Sequence, residues 1–544
     1  MSRITRLAVT ALGVVAIAAG GVYAYFRFVG GRELTLAAGA ELVPADATVV
    51  THVQTSEQAW SQFARFGTPE VHQLFAENVQ QWGQENLSDT ELDYQTDIAP
   101  WLGNVMFAAL PAADAIPTGE NFVAIVGIRN KLKALDFVEG FKDSNDIVST
   151  EKRDYQGIEI TSFETAEGDT ANAAFIEQFI VFSPDGTVLE RVIDTFRGEP
   201  SLATTAEKNA FLGDDLGLQQ PLAQLYLADL TALLRDASGN LPSDLSPEVL
   251  ESLEAIESIA VGVGLEDLGL RVRALAAVDP EWVAQVQTNT SDNKLLERLP
   301  ANTLAVLNGE GLVQGWQNAN VQAESDPQAQ QALDAARQLV RNNLGLDLDR
   351  EVFGWMDGEF AFAIVAPDAP FEPQLGLGGV LMLETSDRAT SEKALAQVDT
   401  LVGLPFIRQR QTTVGSTEVT EWLVPTEQQP VATRGWLQDD LMVWAIAMPF
   451  AEITGVTEPD SLAGSKAFQE VAGALPTPNF GYAFINVTAV RDRLNALPQT
   501  PLQQLPPEAL AITESVRALG LTASQPQPDR SQLDILVTLE ANVQ

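Results

Sequence analysis

The stretch DIAPWLG, Asp97–Gly103, precedes an apolar run at residues 105–110, and a related stretch, EVFGWM, Glu351–Met356, precedes the apolar run Phe360–Val365. In each copy an acidic residue and a tryptophan stand four positions apart, just before a segment that reads as a strand. The second copy places its next glycine, Gly358, one position late. This recurrence indicates that the chain consists of two related halves.

Further matches surround this pair and keep the same order along the chain. Pro44 and Trp60 have the same separation as Pro300 and Trp316. The remaining matches are the SLA motif at 201–203 and 461–463, the strand-like runs 222–230 and 480–488, and the alternating ends of each half, 268–278 and 533–539. No single match is specific, but their shared order predicts an internal duplication.

The chain of 544 residues has room for two to four domains of ordinary size. The duplication and the composition divide it into a membrane anchor, 1–26, a tether, 27–40, a first repeat lobe, 41–280, a polar linker, 281–296, and a second repeat lobe, 297–541. Each lobe is long enough to bury its own core.

Within a lobe, strand-like and helix-like segments are interspersed. The apolar runs Met106–Leu110 and Phe122–Ile128 are joined by a loop that contains two prolines, which is typical of neighbouring antiparallel strands. The next apolar residues, Ala134, Phe137 and Phe141, recur at helical spacing. We therefore predict an α+β fold: an N-terminal transmembrane helix followed by two duplicated lobes, each a largely antiparallel sheet with packed helices.

The prediction of a membrane anchor depends on Leu7–Phe26, twenty residues without a charged side chain. A helix of this length is about 30 Å long, the thickness of the hydrocarbon core of a bilayer. Arg3 and Arg6 precede the segment, and we expect the N-terminus inside with the bulk of the chain outside the cytoplasm. The alternatives are a signal peptide cleaved after Ala24 and a domain that faces the cytoplasm.

The composition excludes several classes of function. The chain has 32 Lys and Arg against 74 Asp and Glu, a net charge of −42, which argues against nucleic-acid binding because no basic surface is available for the phosphates. Cysteine is absent, so there are no disulfides, thiolate metal sites or cysteine nucleophiles. A catalytic triad or general base that needs histidine could use only His52 or His72.

Neither histidine carries a recognisable motif. His52 ends a predicted strand, where it would need a partner and a nucleophile within hydrogen-bonding reach to act as a base. The matching position of the second half is in Leu307-Asn308-Gly309 and has no histidine. His72 flanks the apolar face of a predicted helix. The sequence therefore favours a packed or exposed His52 and a solvent-side His72.

The acid–tryptophan pairs Asp97/Trp101 and Glu351/Trp355 have two interpretations. The pairs could form acidic-aromatic subsites of the kind that carbohydrate binders use. Alternatively, each tryptophan fills the core while the acid caps a helix start. Because the pair occurs in both halves, we favour the structural interpretation.

Other polar groups give weaker signals. Asp214-Asp215 and Asp439-Asp440 read as solvated turns, although a glycosidase-type acid pair remains open. Asp347, Asp349 and Glu351 could bind Ca²⁺ loosely but lack the EF-hand spacing. Gly262 and Gly264 lack the third glycine of a dinucleotide fingerprint. We therefore assign no catalytic, cofactor-binding or metal-binding residue.

Several of these features together resemble a known family. They are the N-terminal anchor, Leu42-Val43-Pro44-Ala45, the stretch 97–103, Tyr155-Gln156-Gly157-Ile158, and the SLA motif ahead of a phenylalanine. The combination resembles a bacterial, largely cyanobacterial family catalogued as domain of unknown function 3352, over residues 41–540. The resemblance implies membrane attachment and no known enzyme activity, so it brings no catalytic residues. The second half departs from the pattern, since Gly415-Ser416 stands where a Tyr-x-Gly would be expected.

We therefore expect a non-enzymatic, single-pass membrane protein that binds a partner protein or an apolar ligand at or between its lobes. Its bulk would lie in the periplasm or, in a cyanobacterium, the thylakoid lumen. The alternatives are a carboxylate-based hydrolase of envelope glycans and a purely structural component of the envelope.

Overall fold

The computed structural model describes most of the chain after residue 32. The described residues are 33–55, 61–74, 77, 94–111, 121–134, 147–165, 170–204, 211, 216–228, 230, 255–285, 289–323, 327–368, 376–401, 407–424, 430–497 and 500–542. Several predicted features lie outside them: the anchor Leu7–Phe26, Trp60, the helical residues after Ala134, and Asp214-Asp215.

The described residues form twenty strands, and all of them belong to one sheet. Those of the first half are β1 (Val49–Val53), β2 (Leu102–Ala109), β3 (Phe122–Ile128), β4 (Ile147–Tyr155), β5 (Ile158–Thr165), β6 (Thr170–Ile176), β7 (Phe179–Ser183), β8 (Gln220–Leu227), β9 (Ile256–Glu266) and β10 (Gly269–Val278). Those of the second half are β11 (Thr303–Glu310), β12 (Glu359–Val365), β13 (Gly378–Glu384), β14 (Arg408–Val414), β15 (Thr417–Leu423), β16 (Pro430–Trp436), β17 (Leu441–Ile446), β18 (Tyr482–Ile485), β19 (Val516–Gln527) and β20 (Arg530–Leu539).

The described α-helices lie between these strands. They are α1 (Leu36–Ala40), α2 (Gly186–Arg197), α3 (Pro280–Gln285), α4 (Leu312–Ala323), α5 (Pro327–Leu344), α6 (Arg388–Leu401), α7 (Ala451–Thr454), α8 (Lys466–Ala474), α9 (Val487–Asn495) and α10 (Pro507–Ser515). Single π-helical turns, Tyr94–Ile98 and Leu348–Val352, precede β2 and β12.

All strand pairs are antiparallel, and the pairing order is the same in both halves. The first half runs β4-β5-β6-β7-β3-β2-β1-β8-β9-β10 across the sheet. The second half runs β14-β15-β16-β17-β13-β12-β11-β18-β19-β20. The predicted antiparallel pairing of the runs at 106–110 and 122–128 is confirmed as β2 with β3.

The two halves meet where β10 pairs with β20. Nine residue pairs form this ladder, from Gly269 opposite Thr538 to Ala277 opposite Arg530. Since β10 and β20 are the last strands of their halves, one sheet continues from β4 at one end to β14 at the other.

A buried ionic cluster lies on the seam, which is the β10–β20 ladder that joins the two halves. Both Arg271 and Arg273 donate through Nε to Oδ1 of Asp534, at 2.8 and 2.9 Å, and the Asp534 side chain is fully buried. Arg271 also donates to the Ala474 carbonyl, and Arg273 donates to the Leu216 carbonyl. The bonds therefore tie β10, β20 and their flanking segments together.

The halves differ in the helix that follows their matching strands β7 and β17. In the first half α2 has twelve residues; Asp185 caps its start, with a side chain that accepts from the Thr187 N–H, and Gly198, with φ 124°, follows its end. In the second half α7 has four residues and no side-chain cap bond. A longer helix therefore covers the sheet in the first half than in the second.

The fold class that we predicted from the sequence is wrong. It comprised an N-terminal transmembrane helix and two lobes with separate sheets, whereas the strands form a single 20-stranded sheet. Among the described residues no helix is both long and apolar enough to cross a membrane. Residue patterning showed that alternating strands end each half, but it carried no information that these two strands pair with each other.

The ionic cluster of the seam leads to a prediction about Asp534. Replacing it, Asp534→Asn, removes the charge that both arginines share, and we expect the free energy of unfolding to fall by about 3 kcal/mol, because a buried ion pair loses one partner. Urea denaturation of both proteins measures the change.

The control is Asp529→Asn, an exposed position in the β19–β20 turn. It should change stability by less than about 0.5 kcal/mol. Equal stability of the Asp534 variant and the parent protein would contradict a structural role for the cluster.

Candidate functional site

The two histidines are both bonded to backbone carbonyl groups. His52 is buried on β1, and its Nε2 lies 3.1 Å from the Leu34 oxygen. His72 Nε2 lies 2.5 Å from the Phe66 oxygen. A carbonyl can only accept, so each Nε2 carries the proton and donates. These contacts give both imidazoles a structural role.

The acid–tryptophan pairs belong to the core. Trp101 and Trp355 are almost fully buried, and each indole Nε1 donates to a backbone carbonyl four residues earlier, Asp97 at 2.8 Å and Glu351 at 3.0 Å. The carboxylates are not the partners of the indoles. The geometry therefore matches the core-filling part of the structural interpretation. The capping part fits only Glu351, which accepts from the Asp347 N–H at a helix start, since Asp97 lies inside the π-helical turn Tyr94–Ile98.

The residues suggested as calcium ligands have structural roles: Asp347 and Glu351 cap the turn Leu348–Val352, and Asp349 binds side chains of α4 and α5. Asp347 Oδ1 accepts from the N–H groups of Asp349 and Arg350, while Glu351 accepts from the Asp347 N–H, which is a reciprocal capping arrangement. Asp349 accepts from Trp316 Nε1 and from Arg337, and the hydrogen bond from Arg337 lowers its pKa. Within the described residues no group of three such side chains could hold a metal ion.

Gly262 and Gly264 lie inside β9, and their role is packing. A Cβ at Gly262 would come within 3 Å of the side chains of Leu216 and Leu218. The glycines let the segment before β8 lie against β9, so the pattern is not a dinucleotide fingerprint.

Four carboxylates are buried among the described residues, and each has a structural partner. Asp534 pairs with Arg271 and Arg273, and the Glu266 carboxylate lies 3.8 Å from Arg271. The other two are Glu421, which accepts from Arg410 Nε at 2.8 Å, and Glu359, which accepts from the N–H groups of Lys294 and Leu295.

The pKa of Glu359 is raised above that of an ordinary carboxyl group. Burial raises its pKa to about 7, and the neighbouring Glu384 carboxylate adds to the rise, while the N–H groups of Leu295 and Lys294 lower it. Burial and the charge of Glu384 also raise the pKa of Glu310, which lies opposite Glu359 in the β11–β12 ladder. The start of β12 therefore carries a carboxyl group that titrates near neutrality.

A large polar cleft opens at the far end of the second half. Its volume is about 990 Å³, and it lies between the start of α6, the β14–β15 hairpin, and the end of β16 with the turn that follows. Its uncharged hydrogen-bonding residues are Gln411, Thr412, Thr413, Ser416, Thr417, Thr420 and Gln438. On the strands, Gln411, Thr413 and Thr420 share the face of Arg434, whereas the side chains of Thr412 and Thr417 point to the opposite face. Hydroxyl and amide groups therefore dominate its lining.

Most charges of the cleft are paired with each other. Arg388 Nε donates to Glu392 at 2.8 Å, its guanidinium lies 4.5 Å from the ring centre of Trp436, and Nη1 lies 3.4 Å from Asp439. Arg434 forms a largely buried ion pair with Asp399 of α6. The cleft thus offers a ligand hydrogen-bonding groups and part of an indole, and Glu418 is its one charged lining residue without an ion pair among the described residues.

A second, smaller cavity lies on the opposite face of the same strands. Its volume is about 180 Å³, and its walls include Val414, Met448 and Phe450 together with Glu421 and Thr433. Thr433 and Arg434 are neighbours on β16 and point to opposite faces, because side chains alternate along a strand. Arg434 lines the cleft and Thr433 lines this cavity.

A family model described as "Protein of unknown function (DUF3352)" matches residues 7–539. The chain belongs to the DUF3352 family. This confirms the resemblance in the sequence, whereas membrane attachment and a cyanobacterial distribution stay predictions. None of the curated proteins matches the chain.

Three solved structures of TP0453 show a weak similarity to this DUF3352 chain. Crystal form III is 13% identical and aligns over 46% of this chain and 86% of its own, with a TM-score of 0.23. Form IV is 14% identical and aligns over 44% of this chain and 79% of its own, with a TM-score of 0.23. Form I is 10% identical and aligns over 44% of this chain and 78% of its own, with a TM-score of 0.24. Scores this low establish neither a shared fold nor a shared function.

Neither cavity of the DUF3352 chain is evident from its sequence. The cleft takes its lining from segments far apart in sequence, near residues 388, 411–420 and 434–439. The one local signal is the run QRQTT at 409–413, which has no apolar residue and therefore suits an exposed strand equally well. The small cavity depends on the length of a helix, which sequence patterning determines only poorly.

The buried tryptophans lead to a prediction about stability. Trp355→Ala removes a side chain that is 3% exposed, and we expect it to cost about 3–5 kcal/mol of unfolding free energy because it leaves a cavity. Chemical denaturation measures this cost. A change below about 1 kcal/mol would contradict burial and would restore the ligand-subsite interpretation.

The raised pKa of Glu359 leads to a prediction about pH. In the unfolded state Glu359 has the lower pKa of an ordinary carboxyl group, so it releases its proton at a lower pH than in the folded state. The tighter proton binding of the folded state stabilises it fully at low pH, and this stabilisation is lost as the pH rises through about 7. Relative to Glu359→Gln, the parent protein should lose about 2 kcal/mol of unfolding free energy between about pH 5 and pH 8.

Urea denaturation across this pH range measures the difference between parent and variant. The control Glu257→Gln changes an exposed position of β9 and should run parallel to the parent protein. A parallel profile for the Glu359 variant would show that this carboxyl group does not titrate near neutrality.

Proposed function

We propose that the protein is a non-enzymatic binding protein that takes a neutral, polyhydroxylated chain, such as a segment of an envelope glycan, in the polar cleft. The observation that carries this proposal is the lining, in which uncharged hydrogen-bonding side chains, among them Gln411, Thr413 and Thr420, face a cleft of about 990 Å³. A volume near 1,000 Å³ suits a ligand of several sugar units.

The charge distribution supports a neutral ligand. Arg388 is engaged by Glu392 and Asp439, and Arg434 is engaged by Asp399. An anionic ligand would have to break these pairs and would also approach a chain with a net charge of −42. Sugar hydroxyls can instead both donate to and accept from threonine and glutamine side chains.

Binding without hydrolysis is favoured by the position of the acids. A glycosidase needs a carboxylic acid that its surroundings keep protonated, beside a second carboxylate. The acidic side chains that line the cleft are exposed or ion-paired, since Glu392 and Asp439 contact Arg388 and Glu418 is exposed. An extracytoplasmic location is part of this proposal, because glycans of the envelope would be met there.

The test uses neutral hexasaccharides of glucose and of N-acetylglucosamine as probes in isothermal titration calorimetry. Thr413→Val/Thr420→Val keeps the shape of the wall but removes two hydroxyls, and we expect about thirtyfold weaker binding, at about 1 kcal/mol per hydrogen bond. Thr150→Val, on β4 at the other end of the sheet, is the matched control and should bind normally.

Two outcomes would overturn the proposal. Equal affinity of the double variant and the parent protein would place the saccharide elsewhere. Release of new reducing ends during incubation would instead support the hydrolase alternative.

A further inference from the structure

The cavity of about 180 Å³ beside β15 and β16 takes no part in the proposed function. Its walls are mainly apolar, with Val414, Pro430, Met448 and Phe450 around it. Two polar side chains, Glu421 and Thr433, face each other across the β15–β16 ladder and line the same space. An apolar pocket with a few polar groups at one point is the usual form of a small-ligand site.

The cavity exists because the second half lacks a long helix at this position. In the first half α2 covers the matching face with the buried side chains of Leu189, Val192 and Ile193. In the second half α7 ends after four residues, at Gly455. The hairpin face beyond it is therefore left without the apolar cover that α2 supplies.

The polar pair in the cavity differs from its counterpart in the first half. There Ser162 faces Asn172, the serine hydroxyl lies 2.7 Å from Asn172 Oδ1, and Asn172 Nδ2 donates to the Pro184 carbonyl. In the second half the corresponding pair is Glu421 and Thr433.

Thr433 has an unmet hydrogen-bonding capacity. Its side chain is 1% exposed, and Oγ1 has no hydrogen-bond partner among the described residues. A buried hydroxyl in this state costs about 1–3 kcal/mol, so native proteins rarely leave one without a partner. A molecule in the cavity could supply that partner.

Glu421 determines which polar group fits. Its carboxylate accepts from Arg410 Nε at 2.8 Å and Nη2 at 2.5 Å, and both bonds use Oε2. Beside this neutralised carboxylate, a ligand hydroxyl can donate to the acid while accepting from the Thr433 hydroxyl. An anionic ligand would instead bring a second negative charge next to Glu421.

The volume limits the size of the ligand. A dry cavity of about 150 Å³ in another protein holds a benzene molecule, so a cavity of about 180 Å³ holds one ring with a small substituent. We propose that this cavity binds a small, neutral, apolar molecule with a single hydroxyl, such as a monocyclic phenol, whose hydroxyl lies between Glu421 and Thr433 and whose ring packs on Met448 and Phe450.

The test compares p-cresol with toluene, which differ by the hydroxyl, in ligand-observed NMR and calorimetry with the full chain. The parent protein should bind p-cresol at least tenfold more tightly than toluene. Thr433→Val is close in shape and should remove most of this preference while leaving toluene binding unchanged. Ser162→Ala, in the corresponding pair of the first half, is the control and should retain the preference.

Stability gives a second readout that does not need a ligand. Thr433→Val should leave the melting temperature unchanged or raise it, because it removes a buried hydroxyl without a partner. A lowered melting temperature would show that the hydroxyl is satisfied within the protein and would overturn the premise. Ala451→Leu, which adds bulk to the wall, should abolish binding of both probes.

Three results would overturn the proposal: no binding of p-cresol up to about 10 mM, equal affinity for p-cresol and toluene, or equal preference in the Thr433 variant. The first would indicate that water alone occupies the cavity. Thr433→Val should not affect saccharide binding in the cleft, so failure here and failure of the proposed function can be distinguished.

Discussion

The antiparallel pairing of β10 with β20 is the constraint on which the rest of the structure depends. It joins the final strand of each half through nine residue pairs. The buried carboxylate of Asp534 accepts from Arg271 and Arg273 on the neighbouring strand. The β10–β20 ladder removes these arginines from water, and the Asp534 carboxylate of the other half supplies a compensating charge there. The two halves therefore share one sheet.

The sheet gives the two halves the same strand order but different surfaces. The first half covers its hairpin face with α2, and it satisfies Asn172 through the Pro184 carbonyl. The second half has only the short α7 there, and both candidate sites lie on strands β14–β16. Both halves thus repeat one framework, while a local difference in helix length accounts for the smaller cavity of the second half.

The residues that stood out in the sequence have structural roles. Trp101 and Trp355 fill the core and donate to backbone carbonyls, and Glu351 completes the helix cap begun by Asp347. Such residues recur because the same packing problem is solved twice. By contrast, Thr433 looks like any strand threonine, and only its burial without a partner distinguishes it. That property belongs to the surroundings of the residue and is invisible in the chain itself.

The sequence by itself determined the family, the acidic character that argues against nucleic acid, and several strands and their neighbours, such as β2 with β3. These follow from residue type and from the period-two alternation of strands, which are local properties. Only the tertiary structure decided that the halves share one sheet, that the buried carboxylates of the described residues have structural partners, and where the cavities lie. Each of these depends on contacts between residues far apart in the chain, and one-dimensional patterning does not specify which distant groups meet.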